Sequence, residues 1–294
     1  MTINPKNLPN KSLELNSKLR LFQIFKKIGH VSLKCDTYFQ TYEDLFESYT
    51  NKNITFVEIG VLHGGSLLMW REYFGPKARI IGIDLNPKAL ELKKEGFEIF
   101  IGSQSDKLFW KDFYSKIGNI DILLDDGGHS NDQQIVTLTE SLLNINDGGL
   151  LVTEDVHTSY FKKFGNPSKF SFINYSKHLI DVINSRFLGT KIKTNNIFRK
   201  KIYSITYFNS IVAVKIDSNK SIETTVLKNN ENEIFNTNDL RTNDYFPKAS
   251  SFINKNLPIL HKIIVIKKIV RYLFYSNNFI LKIKYYFKLK KYFK

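Results

Sequence analysis

Apolar residues along this chain fall into short runs that alternate with stretches of helical spacing. Ile54–Gly60 (ITFVEIG), Arg79–Leu85 (RIIGIDL), Phe97–Gly102 (FEIFIG), Ile120–Asp125 (IDILLD) and Gly149–Thr153 (GLLVT) read as five strands. Between them, Ser66–Phe74, Pro87–Glu95, Lys107–Lys116 and Gln133–Asn144 read as helices, the second with proline at a first-turn position. Apolar runs separated by helices of this length predict βαβ units, a parallel sheet and right-handed crossovers. Upstream, Tyr38–Tyr49 (YFQTYEDLFESY) repeats aromatic and aliphatic residues at helical spacing and predicts an amphipathic helix. Residues 1–20 are polar, carry Pro5 and Pro9, and predict a loose arm. Beyond Asp155, Phe170–Phe187 predicts a helix. Ile202–Phe208 and Ile211–Ile216, flanking Asn209-Ser210, predict an antiparallel hairpin.

Composition changes this picture at the C-terminus. The 294 residues carry 43 Lys+Arg against 28 Asp+Glu, a net charge of +15. Eleven of the basic residues lie from Ser251 to Lys294, a segment without a single acid, so the other 250 residues carry only +4. Residues 257–274 (LPILHKIIVIKKIVRYLF) place apolar side chains at helical spacing with lysines largely between them, predicting a basic amphipathic helix. Helix and strand patterns fit residues 279–294 equally well. Residues 218–250 are polar and read as a linker. Lysines alternating with large apolar residues favour an anionic membrane surface over nucleic acid; packing on the protein itself is the alternative. One cysteine, Cys35, excludes an intrachain disulfide and a cysteine-built zinc site. No run has the length of a membrane span, and residues 1–20 lack the apolar core of a signal peptide. The expected location is therefore cytoplasmic, peripheral on the inner face of the membrane.

In open α/β sheets ligands bind outside the carboxyl ends of the strands, so the residues after each strand carry the chemistry. The first is followed by Gly60-Val-Leu-His63-Gly64-Gly65-Ser66, a glycine turn into a helix N-terminus. The second ends at Asp84, placed to accept ribose hydroxyls. The third leads into Gly102-Ser103-Gln104-Ser105-Asp106, polar groups suited to an adenine edge. The fourth ends in Asp125-Asp126-Gly127-Gly128-His129 and the fifth in Glu154-Asp155-Val156-His157. Singly, each has a structural reading: a turn, a helix cap, a peripheral histidine. Together, Asp126, Glu154 and Asp155 gather carboxylates at two adjacent strand ends, which is costly unless a proton or cation joins them. Hard oxygen ligands favour Mg²⁺, Mn²⁺ or Ca²⁺. His129 is close enough in sequence to act beside such a metal.

The order ExG…GGS, GIDLNP, GSQSD, DDGGH, EDVHTSY resembles class I S-adenosylmethionine-dependent methyltransferases. More narrowly, it resembles the metal-dependent sugar O-methyltransferases of the macrocin/mycinamicin type, over roughly Asp36 to Tyr160. Ser103, where family members often carry an acid, and the basic tail depart from the family pattern. The resemblance implies a Rossmann-like, doubly wound, seven-stranded α/β sheet, parallel with an antiparallel C-terminal hairpin. With the patterning above, the expected division is an arm and helix (1–50), a methyltransferase domain (51–217), a linker (218–250) and a tail (251–294). It also implies S-adenosylmethionine contacted by Glu58, Gly60, Ser66, Asp84, Gln104, Ser105 and Asp125. Asp126, Glu154 and Asp155 would hold Mg²⁺ (or Mn²⁺), and His129 would be the catalytic base.

The chemistry is consistent. A divalent ion on two neighbouring sugar oxygens acidifies a hydroxyl, and an imidazole, ordinarily titrating near pH 6.5, can take its proton. The expected acceptor is a sugar hydroxyl of a glycan or glycoconjugate such as capsule or lipopolysaccharide. The expected partners are that acceptor and the membrane, no nucleic acid, and a further copy of the chain. A metal-independent methyltransferase is the first alternative. An NAD-binding oxidoreductase would share the glycine turn and Asp84 but leave the DDGGH and ED clusters unexplained. A purely membrane-surface binding protein would rest on the tail alone.

Overall fold

A computed structural model describes residues 10–165, 168–190, 192, 194–227, 229, 283 and 286–292. The chain divides into two compact units, Met1–Val226 and Leu227–Lys294.

The first unit is built on a seven-stranded sheet. Its strands are β1 (Thr55–Ile59), β2 (Arg79–Asp84), β3 (Glu98–Ile101), β4 (Ile120–Asp125), β5 (Ile145–Thr153), β6 (Ile202–Tyr207) and β7 (Val212–Ile216), in the order β3-β2-β1-β4-β5-β7-β6. β1 to β5 are parallel neighbours. β7 inserts antiparallel between β5 and β6, which makes the predicted hairpin the sixth and seventh strands. The strand order reverses direction at β1 and β4, so a crevice opens between their carboxyl ends.

Helices cover both faces because the central strands are apolar on both sides. On one side Phe56, Ile80, Ile122 and Val152 pack under α2 (Arg20–Lys27), α3 (Tyr38–Phe46) and α4 (Gly65–Phe74), around buried Trp70, Tyr42 and Phe46. On the other, Val57, Ile81, Leu123, Leu151 and Val214 pack against α5 (Lys107–Ile117), α6 (Asn131–Ser141) and α7 (Phe172–Asn184). Successive residues such as Phe56 and Val57 thus enter opposite cores, as the two-residue period of a strand requires.

Two expectations need correction. The arm expected over 1–20 contains α1 (Asn10–Asn16), and α2 begins at Arg20; α2 forms because Leu21 and Phe22 bury against α3 and α4. Pro87–Glu95 is helical over the expected bounds, wound as a 3-10 helix, capped by the Asn86 side chain and ended by left-handed Gly96. β5 starts at Ile145, before the diglycine, because Ile145 pairs with Ile120 across a register shift. In the second unit, residues 286–289 are helical, followed by a 3-10 turn at Lys290–Tyr292. The amphipathic helix expected over 257–274 lies outside the described residues.

Candidate active site

The carboxyl ends of β1 to β5 converge on a cavity of about 440 Å³. Gly60, Asp84, Gln104, Asp126, His129 and Asp155 all line it. The glycine turn is there because the chain cannot pass otherwise. Gly60 has φ +84°, and a Cβ on it would lie 2.1 Å from the Asp126 carbonyl oxygen. Asp84 fixes the same turn, one carboxylate oxygen accepting from the N–H of Val61 (2.9 Å) and Leu62 (3.2 Å) and the other from Asn86 (2.8 Å). Gln104 is nearly buried: its amide N–H₂ donates to Asp125 (2.8 Å) and Thr137 (3.1 Å), and its oxygen accepts from the Gly128 N–H (2.8 Å).

Other candidates lie beneath the cavity or away from it. Glu58 is fully buried and accepts from the Ser66 hydroxyl (2.7 Å) and the Trp70 indole N–H (3.2 Å). Burial pushes its pKa up to about 7, although the Lys34 ammonium opposes the shift. Asp125 is also fully buried; one oxygen accepts from Gln104, the other has no partner among the described residues, and burial raises its pKa to about 6. Ser105 shares a hydrogen bond of 2.9 Å with Ser103 and does not line the cavity.

Asp126, His129 and Asp155 are brought together, with one ligand atom from each lying within 4.8 Å of the others. His129 Nε2 is 3.5 Å from Asp155 and 3.9 Å from Asp126, while its Nδ1 is buried without a partner among the described residues. Both His129 (φ +57°) and Asp155 (φ +53°) hold left-handed backbones, costly for non-glycine residues and typical of functional loops. The Thr158 hydroxyl bridges the two turns, within 2.8 Å of both carbonyl oxygens.

Glu154 turns the other way, into the protein. It accepts from the Tyr42 hydroxyl, and Lys34 Nζ lies 3.3 Å from each of its oxygens. Burial first, and then the neighbouring Asp126 charge, push the Glu154 carboxyl well above its ordinary pKa. Lys34 also bonds Asp126 and lies 3.6 Å from Glu58, its side chain only 1 % exposed. Burial alone would lower its pKa, but the three carboxylates outweigh that and hold it well above the ordinary lysine value. The Tyr38 hydroxyl donates to Asp155. Sequence reasoning missed Lys34, Tyr38 and Tyr42. The i, i+4 spacing of the two tyrosines on α3 was a signal, but it reads equally as apolar packing; an isolated lysine gives none.

The donor set suits a hard cation: two part-exposed carboxylates, an imidazole, and further carboxylates behind them already drawing in an ammonium. His63 lies apart from the set, its carbonyl contacting His30 (2.9 Å), whereas His157 borders it, with Nδ1 3.9 Å from Asp155 and 2.5 Å from the Ser210 hydroxyl.

No family model matches the chain. Curated relatives include 8-demethyl-8-alpha-L-rhamnosyl tetracenomycin-C 2'-O-methyltransferase of Streptomyces olivaceus, 34 % identical over 44 % of this chain and 35 % of its own length. Mycinamicin VI 2''-O-methyltransferase of Micromonospora griseorubida is 31 % identical over 50 % of this chain and 39 % of its own. The chain thus spans less than two fifths of the length of each of these relatives. Among solved structures, the MycE methyltransferase of the mycinamycin pathway, in complex with Mg and SAH, aligns with TM-score 0.59 at 26 % identity, over 71 % of this chain and 54 % of that one. The chain therefore has the seven-stranded α/β methyltransferase fold and is related in sequence to sugar O-methyltransferases of the mycinamicin type.

Proposed function

We propose that this protein is an S-adenosylmethionine-dependent, divalent-metal-dependent O-methyltransferase acting on a sugar hydroxyl of a glycan or glycoconjugate. The observation that carries the reading is the cavity at the strand-order switch, where Gly60, Asp84 and Gln104 share one wall system with Asp126, His129 and Asp155. The relatives' names point the same way: they are sugar O-methyltransferases, and MycE was solved with Mg and SAH.

S-adenosylmethionine, bound against the glycine turn, supplies an electrophilic methyl on sulfur. Asp84 and Gln104 orient it from the ends of β2 and β3, and Gly60 lets it approach the backbone. Glu58, Ser66 and Asp125 act from beneath, holding the turn and Gln104 in place. Asp126 and Asp155, with Glu154 behind them, would hold a hard divalent cation, which would supply the Lewis acidity that makes a sugar hydroxyl easier to deprotonate. His129 Nε2, between those two aspartates, is the base that removes the hydroxyl proton. The residues' main contribution is alignment.

A vicinal diol suits such a site, and the basic tail favours an acceptor built at an anionic membrane surface, such as capsule or lipopolysaccharide. No helix among the described residues is long and apolar enough to cross a membrane. The test is transfer of labelled methyl from S-adenosylmethionine to saccharide fractions of the source cell, with the product sugar identified by mass spectrometry. Transfer should stop with excess EDTA and return with Mg²⁺. Full activity in EDTA would establish the metal-independent alternative, and tight NADH binding without response to S-adenosylhomocysteine would overturn the methyltransferase reading.

A further inference from the structure

Lys34 places a cation inside the candidate metal site, and the chain that carries it is weakly held. Residues 29–37 connect α2 to α3 without regular structure. Among the described residues, none of their backbone N–H groups donates to another backbone carbonyl. Val31, Leu33 and Cys35 are exposed, while the Lys34 side chain points inward and is 1 % exposed. Among the described residues the segment is attached by His30, through Nδ1 to the His63 carbonyl (2.9 Å) and Nε2 facing Glu95 (3.7 Å), by the Asn16 amide to the Asp36 carbonyl (2.8 Å), by the Tyr38 N–H to the Cys35 carbonyl (3.0 Å), and by the Lys34 ammonium itself. That ammonium contacts Asp126, both oxygens of Glu154 and, at 3.6 Å, Glu58.

We infer that the Lys34 ammonium and a divalent metal ion compete for Asp126 and Glu154, so that loading the site withdraws Lys34 and releases the strap of residues 29–37. Two cations at hydrogen-bond distance from Asp126 repel each other, and little water screens the repulsion at Lys34 and Glu154, whose side chains are 1 % exposed. The lysine neutralises carboxylates that would otherwise lie buried without a counter-charge. A divalent ion meets the same need with more charge and more coordination sites. By linkage, whatever Lys34 contributes to the empty site is subtracted from metal affinity, and metal in turn opposes the closed strap. Leu33, the residue before Lys34, lines the cavity, so metal loading and the shape of the cavity wall change together.

The inference rests on the metal-dependent reading above, and the experiment separates the two. Mg²⁺ binding by the full chain is measured by calorimetry for the native protein, Lys34→Met and Lys34→Arg. Lys34→Met should bind at least tenfold more tightly than native, and Lys34→Arg, which keeps the charge, should stay near native. Native binding that is unchanged or weaker in Lys34→Met overturns the competition and leaves the metal reading standing. No binding by any of the three overturns both. If Lys34→Met does not fold, the native chain decides: Cys35, the only cysteine, is exposed beside Lys34 and accepts a nitroxide label. Saturating Mg²⁺ should make that label more mobile, and an unchanged spectrum overturns the proposal.

Discussion

His129 is the residue on which the proposed chemistry turns, and its position is strained. Its left-handed backbone and that of Asp155 each cost on the order of 1–3 kcal/mol, and Thr158, bridging both carbonyls, is what keeps them. Such strain aims the imidazole between the two aspartates. His129→Ala should lower the transfer rate by about 10²–10⁴, the usual scale for a lost general base, while S-adenosylhomocysteine binding by calorimetry stays near native. An unchanged rate would make the residue a structural one. Asp84 has a different job, because its carboxylate holds the glycine turn as well as facing the cavity. Hydrogen bonds to a charged group contribute about 1.5–3 kcal/mol, so Asp84→Ala should weaken S-adenosylhomocysteine binding by roughly 10–100-fold.

Among the elements, α3 links the core to the site. Tyr42 and Phe46 stack inside the aromatic cluster, while the Tyr42 hydroxyl reaches Glu154 and Tyr38 reaches Asp155. Tyr42→Phe keeps the ring and removes one donor from a buried carboxylate. It should cost about 1.5–3 kcal/mol in urea denaturation; a loss below 0.5 kcal/mol, the scale of a neutral surface change, would mean that Lys34 satisfies Glu154 alone. Elements of this kind mark how far the sequence could be read. β1 to β4 were legible because their apolar runs end in the acids and glycines that also carry the chemistry. Asp126, His129 and Asp155 were legible for the same reason, as the ends of β4 and β5. The short helices at 10–16 and 20–27 were not, because what fixes α2 is burial of Leu21 and Phe22 against partners elsewhere in the chain. Lys34 was invisible because its partners lie 92 and 120 residues away, and no local pattern records a pairing across that separation.

For the molecule as a whole, charge is distributed unevenly. The segment from Ser251 carries eleven basic residues and no acid. Each basic residue near an anionic surface contributes about 1 kcal/mol, a contribution salt screens. A chain ending near Ser250 should keep activity on a small acceptor but lose binding to anionic liposomes in flotation. If it instead unfolds or changes oligomeric state, the tail belongs to the protein's own architecture and membrane docking is ruled out.

The insertion of β7 between β5 and β6 has a consequence for synthesis. Ser210, in the turn before β7, accepts from the Val156 N–H at 3.1 Å and meets His157 through its hydroxyl, so it buttresses the loop that begins at Asp155. On the ribosome the first five strands emerge before this support exists. At roughly 5–20 residues per second, the stretch from Asp155 to Ile216 takes on the order of 3–12 s. During that interval a nascent chain has its cofactor-side loops but not a braced Asp155. The brace on the Asp155 loop is thus completed only once β7 has been made, and a chain stalled before Ser210 would lack it.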